Sequence, residues 1–420
     1  MIKTFTLQPG ITLRCCQDMR FKTGCISIQL VRPMCREEAS YNALLSAVLL
    51  RGTRQHPDLR DITLHLDDLY GATVGSLIRK VGDYQTTGFY CSFTEDRYAL
   101  KGDRILEPVM DFLQELLYCP RLENGVFCQS FVDGEKRNLL SAIEAQKNDK
   151  RLYAAAQLNR YMCAQDPTGV PRLGDPKIIR SIGAADLYAH YEKILRQSRI
   201  DVFYVGAKQP EEMVQLLAPL FADQERSYIP LQPQTPFCDG GDTRNEEAME
   251  VTQGKLQMGF VHPSDINSPD FVPMQVLNAV FGGGMTSKLF MNIREKMSLC
   301  YDIGSSFQGT KGILCVAAGM DHEMARTVEQ EILKELEKCR RGEISESELC
   351  SAKQSLISSL RGIHDSPGAI ENYYATGALS GLQLSIEEYR RQVEQTTVSR
   401  LAQVAQDLRL HSVYLLKGVQ

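Results

Sequence analysis

The sequence predicts an α+β protein built from two related domains, each with an antiparallel-rich sheet packed against helices. Its 420 residues exceed what one ordinary hydrophobic core holds, so two or more domains are expected. The order of strand and helix patterns in the first half recurs in the second half. A stretch rich in proline, glycine and polar residues separates the halves, as expected of a linker. A single α/β domain with an appendage is the alternative.

The first half begins with strands and continues with helices and a hairpin. "ITLRCCQD" and "GCISIQLVRP" have strand patterns, and "YNALLSAVLL" has apolar residues at helical period. "TVGSLIRKVGDYQTTGFYCSF" predicts a hairpin that turns at Gly82–Asp83. Charged helices extend to about Met162. The helix "AADLYAHYEKIL" then leads into the strand "IDVFYVGA".

The second half repeats this plan. "LQMGFVHP" predicts a strand, and "YDIGSSFQGTKGILCVAAGM" is similar to the earlier hairpin. The helix "VSRLAQVAQDL" leads into a last strand, "HSVYLLKG". We therefore expect domains over residues 1–225 and 246–420, joined by a linker over residues 226–245.

Charge and cysteine content narrow the possible functions. A net charge of −5 and a pI near 5.9 argue against binding to nucleic acid or to an anionic membrane. The 13 cysteines are odd in number and lack CxxC spacing, which suits a reducing compartment. The first residues lack the pattern of a secretory leader, and the run Ala43–Leu50 is too short to cross a bilayer. We expect a cytoplasmic protein.

Several segments resemble one peptidase family. After the first strands, the small-residue helix is followed by "RGT" and by an amphipathic helix. "LGDPKIIRSIGAADLYAHYEKIL" (173–195) and "FGGGMTSKLFMNIREKMSLCYDIGSSF" (281–307) extend the likeness into both halves. Together they resemble the M16 metallopeptidases, the family of pitrilysin, insulinase and mitochondrial processing peptidase. The resemblance implies two LuxS/MPP-like domains related by internal duplication.

The resemblance implies a zinc site on the first helix, but the zinc ligands are absent from this sequence. Active members carry HxxEH there, with two histidine ligands and a glutamate as general base. With "RGT" as the anchor, the histidine positions are Ala43 and Ala47, and the glutamate position is Ser46. The third ligand in active members is the last glutamate of the pattern E(K/R)xxxxxE. In this sequence that position is Ala142, although the upstream acid is present as Glu135. We expect no zinc in this chain and no catalysis in its own amino-terminal domain.

No other histidine motif replaces the missing one. Neither HxxEH nor HExxH occurs, and the seven histidines are dispersed. His65 with Asp67 and Asp68 is the nearest approach to a cluster, and a solvated helix face accounts for it better than a metal does.

The carboxy-terminal segment carries a second family feature. In the family, an arginine and a tyrosine seven residues later reach the substrate held at zinc, and "IREKMSLCY" supplies Arg294 and Tyr301. A guanidinium can hold peptide carbonyls, and a phenol can donate to a developing oxyanion. The alternative is that Arg294 pairs with a helix carboxylate and that Tyr301 packs in the sheet.

Three consecutive glycines, Gly282, Gly283 and Gly284, precede this pair. They lack the GxxxxGK[ST] order of a phosphate-binding loop, and no long apolar strand comes before them. A tight turn with close backbone approach explains them better. In the family, a short glycine-rich loop lines the substrate chamber.

The resemblance therefore implies half of an active site. The chain is similar to the non-catalytic, YmfF-like subunits of M16B-type heterodimeric peptidases of Gram-positive bacteria. Its expected partner is a homologous HxxEH-bearing subunit that binds zinc, and peptide is the expected substrate. The rival hypothesis is a peptide-binding or scaffolding pseudoenzyme without hydrolytic function. A zinc-independent hydrolase has no identifiable nucleophile and base in this sequence.

Overall fold

The computed structural model describes residues 2–222, 225–237 and 241–418. Contacts divide the chain into two compact units, and each unit includes a segment from the other half of the sequence. Unit 1 comprises Met1–Ile143, Val170–Pro233 and His364–Thr376. Unit 2 comprises Glu144–Gly169, Gln234–Ile363 and Gly377–Gln420.

The described residues of unit 1 form a six-stranded sheet and a short separate hairpin. Their strands are β1 (Ile2–Gln8), β2 (Ile11–Gln17), β3 (Thr23–Pro33), β4 (Thr73–Val81), β5 (Tyr84–Thr94), β6 (Leu122–Glu123), β7 (Val126–Phe127) and β8 (Arg199–Gly206). The sheet has the order β1-β2-β8-β3-β5-β4, and β6 pairs with β7. Only the β2–β8 pair is parallel; the other pairs in this sheet are antiparallel. The hairpin β4–β5 turns at Gly82–Asp83, as predicted.

The described residues of unit 2 form a five-stranded sheet. Its strands are β9 (Thr243–Met249), β10 (Gly254–Val261), β11 (Asp302–Gln308), β12 (Ile313–Met320) and β13 (Arg409–Gly418). The order is β11-β12-β10-β13-β9, and the pair β13–β9 is parallel. The remaining pairs of this sheet are antiparallel.

Helices surround both sheets. In chain order they are α1 (Arg36–Leu49), α2 (Leu59–Asp68), α3 (Leu106–Tyr118), α4 (Gln129–Gln146), α5 (Lys150–Met162), α6 (Pro176–Ser181), α7 (Ala184–Gln197), α8 (Pro210–Ala222), α9 (Phe271–Phe281), α10 (Ala325–Arg340), α11 (Glu346–Gly362), α12 (Pro367–Ser380), α13 (Ile386–Gln395) and α14 (Val398–Gln406). A π-helical segment, Leu289–Lys296, lies between α9 and β11. Within the described part of the chain, no helix is long and apolar enough to cross a membrane.

Each unit has its own hydrophobic core. In unit 1, inward residues of β2, β3, β5 and β8 pack against α1, α3, α7 and α8. In unit 2, β10, β12 and β13 pack against α9, α10, α11, α13 and α14. Residues of α5 in a smaller cluster contact Tyr414 and Leu416 on β13. These packed layers confirm the predicted α+β class.

The two sheets also confirm the predicted duplication. Without β1, the order β2-β8-β3-β5-β4 in unit 1 corresponds to β9-β13-β10-β12-β11 in unit 2. The parallel pair occupies the same place in both, and so does the hairpin.

The segment between the halves differs in detail from the predicted linker 226–245. Residues 225–237 contain no helix or strand, and residues 238–240 lie outside the described residues. Residues 243–245 belong to β9, whose side chains alternate between exposed and half-buried. Sequence patterns miss this strand because its exposed edge is polar. The predicted limits 1–225 and 246–420 treat each domain as continuous chain, whereas the units exchange residues 144–169 and 364–376.

Candidate functional site

The positions that correspond to zinc ligands offer no metal-binding atoms. Ala43 and Ser46 are buried on α1, Ala47 is half-buried, and Ala142 is exposed on α4. The Ser46 hydroxyl is buried and has no hydrogen-bond partner in the part of the chain that the structure describes. Among the described residues, no group of three or more His, Cys, Asp or Glu is arranged to hold a metal ion. This face of α1 can neither bind zinc nor move a proton for hydrolysis.

A buried polar chain lies beside these positions. His190 of α7 bonds through Nε2 to Asn42 Oδ1 at 2.8 Å, and Asn42 Nδ2 donates to Gln85 Oε1 at 2.9 Å. Gln85 Nε2 in turn donates to the carbonyls of Ala39 and Arg172. Burial lowers the pKa of His190 to about 4, so the ring is neutral at pH 7. Sequence reasoning did not single out His190, because its partners are distant in the chain.

Glu135 forms an ion pair instead of supporting a metal ligand. Its Oε1 lies 3.4 Å from Arg51 of "RGT", and Asn138 donates to its Oε2 at 3.2 Å. Arg51 Cζ lies 5.7 Å from the centre of the Phe131 ring. The surviving acid thus joins α4 to the turn after α1.

His65 belongs to an aromatic contact. Its ring lies 4.4 Å from the His56 ring and 5.2 Å from the Phe112 ring, measured between centroids. Burial, followed by the neighbouring His56, lowers the pKa of His65. Asp67 and Asp68 are exposed, as predicted for a solvated helix face.

Arg294 lies on the π-helical segment Leu289–Lys296. Its Cζ lies 4.5 Å from the centre of the Phe290 ring, and its Nη1 is 3.7 Å from Glu295 Oε1. The side chain is 38% exposed. Among the described residues, the predicted alternative of pairing with a helix carboxylate occurs only as this long contact with the adjacent residue. The guanidinium therefore keeps donors available to a ligand.

Tyr301 precedes β11 and does not pack in the sheet. Its side chain is 53% exposed, and its backbone N–H donates to Gly319 O at 2.7 Å. The hydroxyl donates to Asp321 Oδ1 at 3.0 Å, and this hydrogen bond raises the pKa of Tyr301. The phenol is therefore protonated at neutral pH and can act as a donor.

The glycine run links α9 to the π-helical segment. A Cβ on Gly282 would lie 2.6 Å from Ser305 Oγ, and one on Gly283 would lie 2.8 Å from Ala279 Cα. Gly284 is exposed with open space around it. Gly282 is thus packed closely against side chains, and Gly283 against the backbone at the end of α9. A chamber-lining function for this loop stays a prediction.

Comparison with known proteins agrees with this arrangement. The family pattern described as "Peptidase M16 inactive domain" matches residues 181–356. The "Probable inactive metalloprotease YmfF" of Bacillus subtilis (strain 168) is 27% identical over 98% of this chain and 96% of its own. The crystal structure of a conserved protein from Enterococcus faecalis V583 has a TM-score of 0.91 and 27% identity, covering 100% of this chain and 99% of its own.

A more distant structure supports the fold alone. The M16 inactive domain protein from Pseudomonas fluorescens has a TM-score of 0.83 at 17% identity, and the match covers 100% of this chain and 98% of its own. These matches confirm the predicted resemblance to the M16 family and the two-domain fold, and the names of the matched family pattern and relative support the expected lack of catalytic function. The chain is therefore similar, over almost its full length, to a probable inactive metalloprotease, and residues 181–356 match the inactive domain of the M16 peptidases.

Proposed function

We propose that this chain is the non-catalytic subunit of a heterodimeric zinc metallopeptidase. Its partner is a homologous M16 subunit that carries HxxEH and the zinc ion. Arg294 and Tyr301 of this chain act on the peptide bound at that zinc, and the Gly282–Gly284 loop lies beside the peptide. The complex hydrolyses peptides, whereas this chain alone does not.

One observation supports the proposal most directly. Unit 2 has hydrogen-bond donors available to a peptide, whereas unit 1 lacks the zinc ligands that an active site would need. Arg294 and Tyr301 present a guanidinium and a protonated phenol to solvent. Alanine and serine occupy the ligand and base positions of α1 and α4. Donors of this kind stabilise an oxyanion only where another group activates the attacking water. A zinc site on a second chain satisfies that requirement.

The two side chains have different tasks in this proposal. The planar guanidinium of Arg294 binds carbonyl oxygens of the extended peptide. The Tyr301 hydroxyl shifts from Asp321 to the carbonyl oxygen as negative charge develops there. Arg294 thus contributes to binding and turnover, whereas Tyr301 contributes mainly to turnover.

Reconstitution with the HxxEH homologue from the same cell tests the proposal. Tyr301→Phe is expected to lower kcat roughly 100- to 1000-fold, the usual cost of one oxyanion donor. Its control is Tyr70→Phe, since Tyr70 is also exposed and also donates to a carboxylate, that of Asp103. Gel filtration verifies that each variant assembles.

Arg294→Ala is expected to raise KM as well as lower kcat. Arg160→Ala is the control, because Arg160 also lies on a helix with its guanidinium near an aromatic ring, that of Tyr161. Full activity in both Arg294→Ala and Tyr301→Phe would refute the proposed function. The peptide-binding or scaffolding pseudoenzyme would then be the better account.

A further inference from the structure

The π-helical segment that carries Arg294 is anchored to two neighbouring helices. Next to its first residue, Lys288 Nζ donates to Glu348 Oε1 of α11 at 2.8 Å. Within the segment, Asn292 Nδ2 donates to Glu335 Oε2 of α10 at 2.9 Å. Each anchor joins the segment to a carboxylate on a different helix.

Each anchor has one buried partner, whereas Asn292 and Glu348 are half-buried. Lys288 is 5% exposed and Glu335 is 1% exposed. The second oxygen of Glu335 accepts from Lys338 Nζ at 2.7 Å, and the Asn292 carbonyl accepts from Lys296 Nζ at 2.9 Å. The Asn292 amide therefore uses its oxygen and its nitrogen, so its orientation is fixed.

A buried, hydrogen-bonded carboxylate such as that of Glu335 is not needed for stability alone. A buried carboxylate costs desolvation energy, and apolar side chains of similar volume often stabilise as well. A hydrogen-bonded carboxylate also restricts direction, because donor and acceptor must align. Here the restricted element is the helical turn two residues before Arg294.

The end of the segment has an unusual backbone that restricts the same region. Met297 N–H donates to Asn292 O at 3.1 Å, a bond across five residues that defines the wide π turn. Ser298 follows in the left-handed region with φ 53°, and the chain then reverses toward Tyr301. The wide π turn and the reversal of the chain together determine the positions of the Arg294 and Tyr301 side chains.

We propose that Asn292, held by Glu335, is a positioning residue for Arg294, with Lys288–Glu348 as the second anchor. Asn292 contacts no substrate; it fixes the turn so that the Arg294 guanidinium points at the peptide. This inference rests on the proposed function, since its effect is measured as cleavage by the heterodimer.

A double-mutant cycle on the reconstituted heterodimer tests the inference. Asn292→Ala is expected to lower kcat/KM by up to about 100-fold, because small misplacements of a binding group have effects of this size. In the Arg294→Ala background, the same change is expected to have an effect within about twofold. Asn159→Ala is the control, since Asn159 is a half-buried helical asparagine whose amide donates to Thr168 O at 2.8 Å.

Exchanging donor and acceptor in the Asn292–Glu335 hydrogen bond distinguishes loss of positioning from simple loss of folding. Asn292→Asp places two carboxylates against each other and is expected to lower activity. Adding Glu335→Gln restores a donor–acceptor pair with the roles exchanged, and activity is expected to return. Melting temperatures of all variants show whether each one is folded.

The outcomes separate this inference from the proposed function. Equal losses from Asn292→Ala in both backgrounds would overturn the positioning role, while the loss caused by Arg294→Ala would still support the proposed function. Full activity of Arg294→Ala would overturn the positioning role, and full activity of both Arg294→Ala and Tyr301→Phe would overturn the proposed function as well. Failure of Glu335→Gln to rescue a folded Asn292→Asp variant would also count against the positioning role.

Discussion

The two units share the order of five strands, but their first helices differ in chemistry. Helix α1 follows β3 in unit 1, and α9 follows the corresponding β10 in unit 2. Helix α1 buries Ser40, Asn42 and Ser46, whereas the buried residues of α9 are apolar throughout. Sheet pairing and apolar packing therefore suffice to specify this architecture, and the polar face of a helix is free to differ.

The two units can also be compared in the contacts that bind the segment each one includes from the other half of the sequence. In unit 1, Arg79 Nη2 donates to Glu371 Oε2 at 2.6 Å, and the carboxylate also accepts from Ser27 at 2.6 Å. In unit 2, Lys311 Nζ lies 3.2 Å from Asp166 Oδ2, and both side chains are buried. Glu371 and Asp166 each belong to an exchanged segment. An ion pair with a buried carboxylate thus fixes each segment in place.

Removal of these ion pairs should give the largest effect. Arg79→Ala or Lys311→Ala leaves a buried carboxylate without its cation, and each is expected to lower the free energy of unfolding by about 3–5 kcal/mol. Lys3→Ala removes an exposed pair with Glu211 and should cost at most about 1 kcal/mol. Denaturant unfolding measures all three. A small effect in one unit only would show that the two exchanged segments are not held in equivalent ways.

One glycine from each sheet gives a second comparison. A Cβ on Gly88 of β5 would lie 1.9 Å from Ile28 O, a backbone atom of the paired strand β3. A Cβ on Gly259 of β10 would meet the Met162 sulfur at 2.4 Å, and that side chain can move. We expect Gly88→Ala to cost about 3 kcal/mol and Gly259→Ala about 1 kcal/mol. Thermal unfolding of the two variants is the measurement, and equal costs would contradict this reasoning.

Each unit also contains a buried histidine, and unit 1 should respond more strongly to acid. Burial lowers the pKa of His190 to about 4 and also lowers that of His262. The unfolded chain takes up a proton near pH 6.5, before folded His190 does, so stability is lost as pH falls from 6.5 toward 4. At pH 5 the loss from His190 is about 2 kcal/mol.

Unfolding measured from pH 7.5 to 4.5 tests this pH dependence. His190→Gln keeps a donor for Asn42 and should flatten the profile, whereas His262→Gln should change it less. A profile unaltered by His190→Gln would mean that other groups cause the acid sensitivity.

The sequence predicts the architecture better than it predicts contacts. Hairpins and the helix–strand endings of both halves follow from local periodicity, so the duplication is visible in the sequence. The exchange of residues 144–169 and 364–376 is not, because it depends on contacts such as Arg79–Glu371 between positions distant in the chain. Strand β9 was missed because an edge strand can be polar.

The candidate site was predictable only as a set of positions. The missing ligands at Ala43 and Ala47 follow from the residue types alone. The anchoring of the turn before Arg294 by Glu335 requires knowledge of how α10 packs. No local sequence signal marks a π turn or the bond between Tyr301 and Asp321.

The smallest expected effect concerns metal removal. A chelator should leave the melting temperature of the isolated chain unchanged, because Ala43, Ala47 and Ala142 supply no ligand atoms in unit 1. Where a protein does bind structural or catalytic zinc, the binding free energy adds to folding stability and is lost on chelation. The same chelator should abolish peptide cleavage by the reconstituted heterodimer and should destabilise the HxxEH-bearing partner when that partner is heated alone. Elemental analysis of the isolated chain accompanies the melting curves. One tightly bound zinc per chain, together with a fall in melting temperature on chelation, would show that unit 1 or unit 2 holds a metal site built from other residues. The expected difference in metal dependence between this chain and its HxxEH-bearing partner would then be wrong.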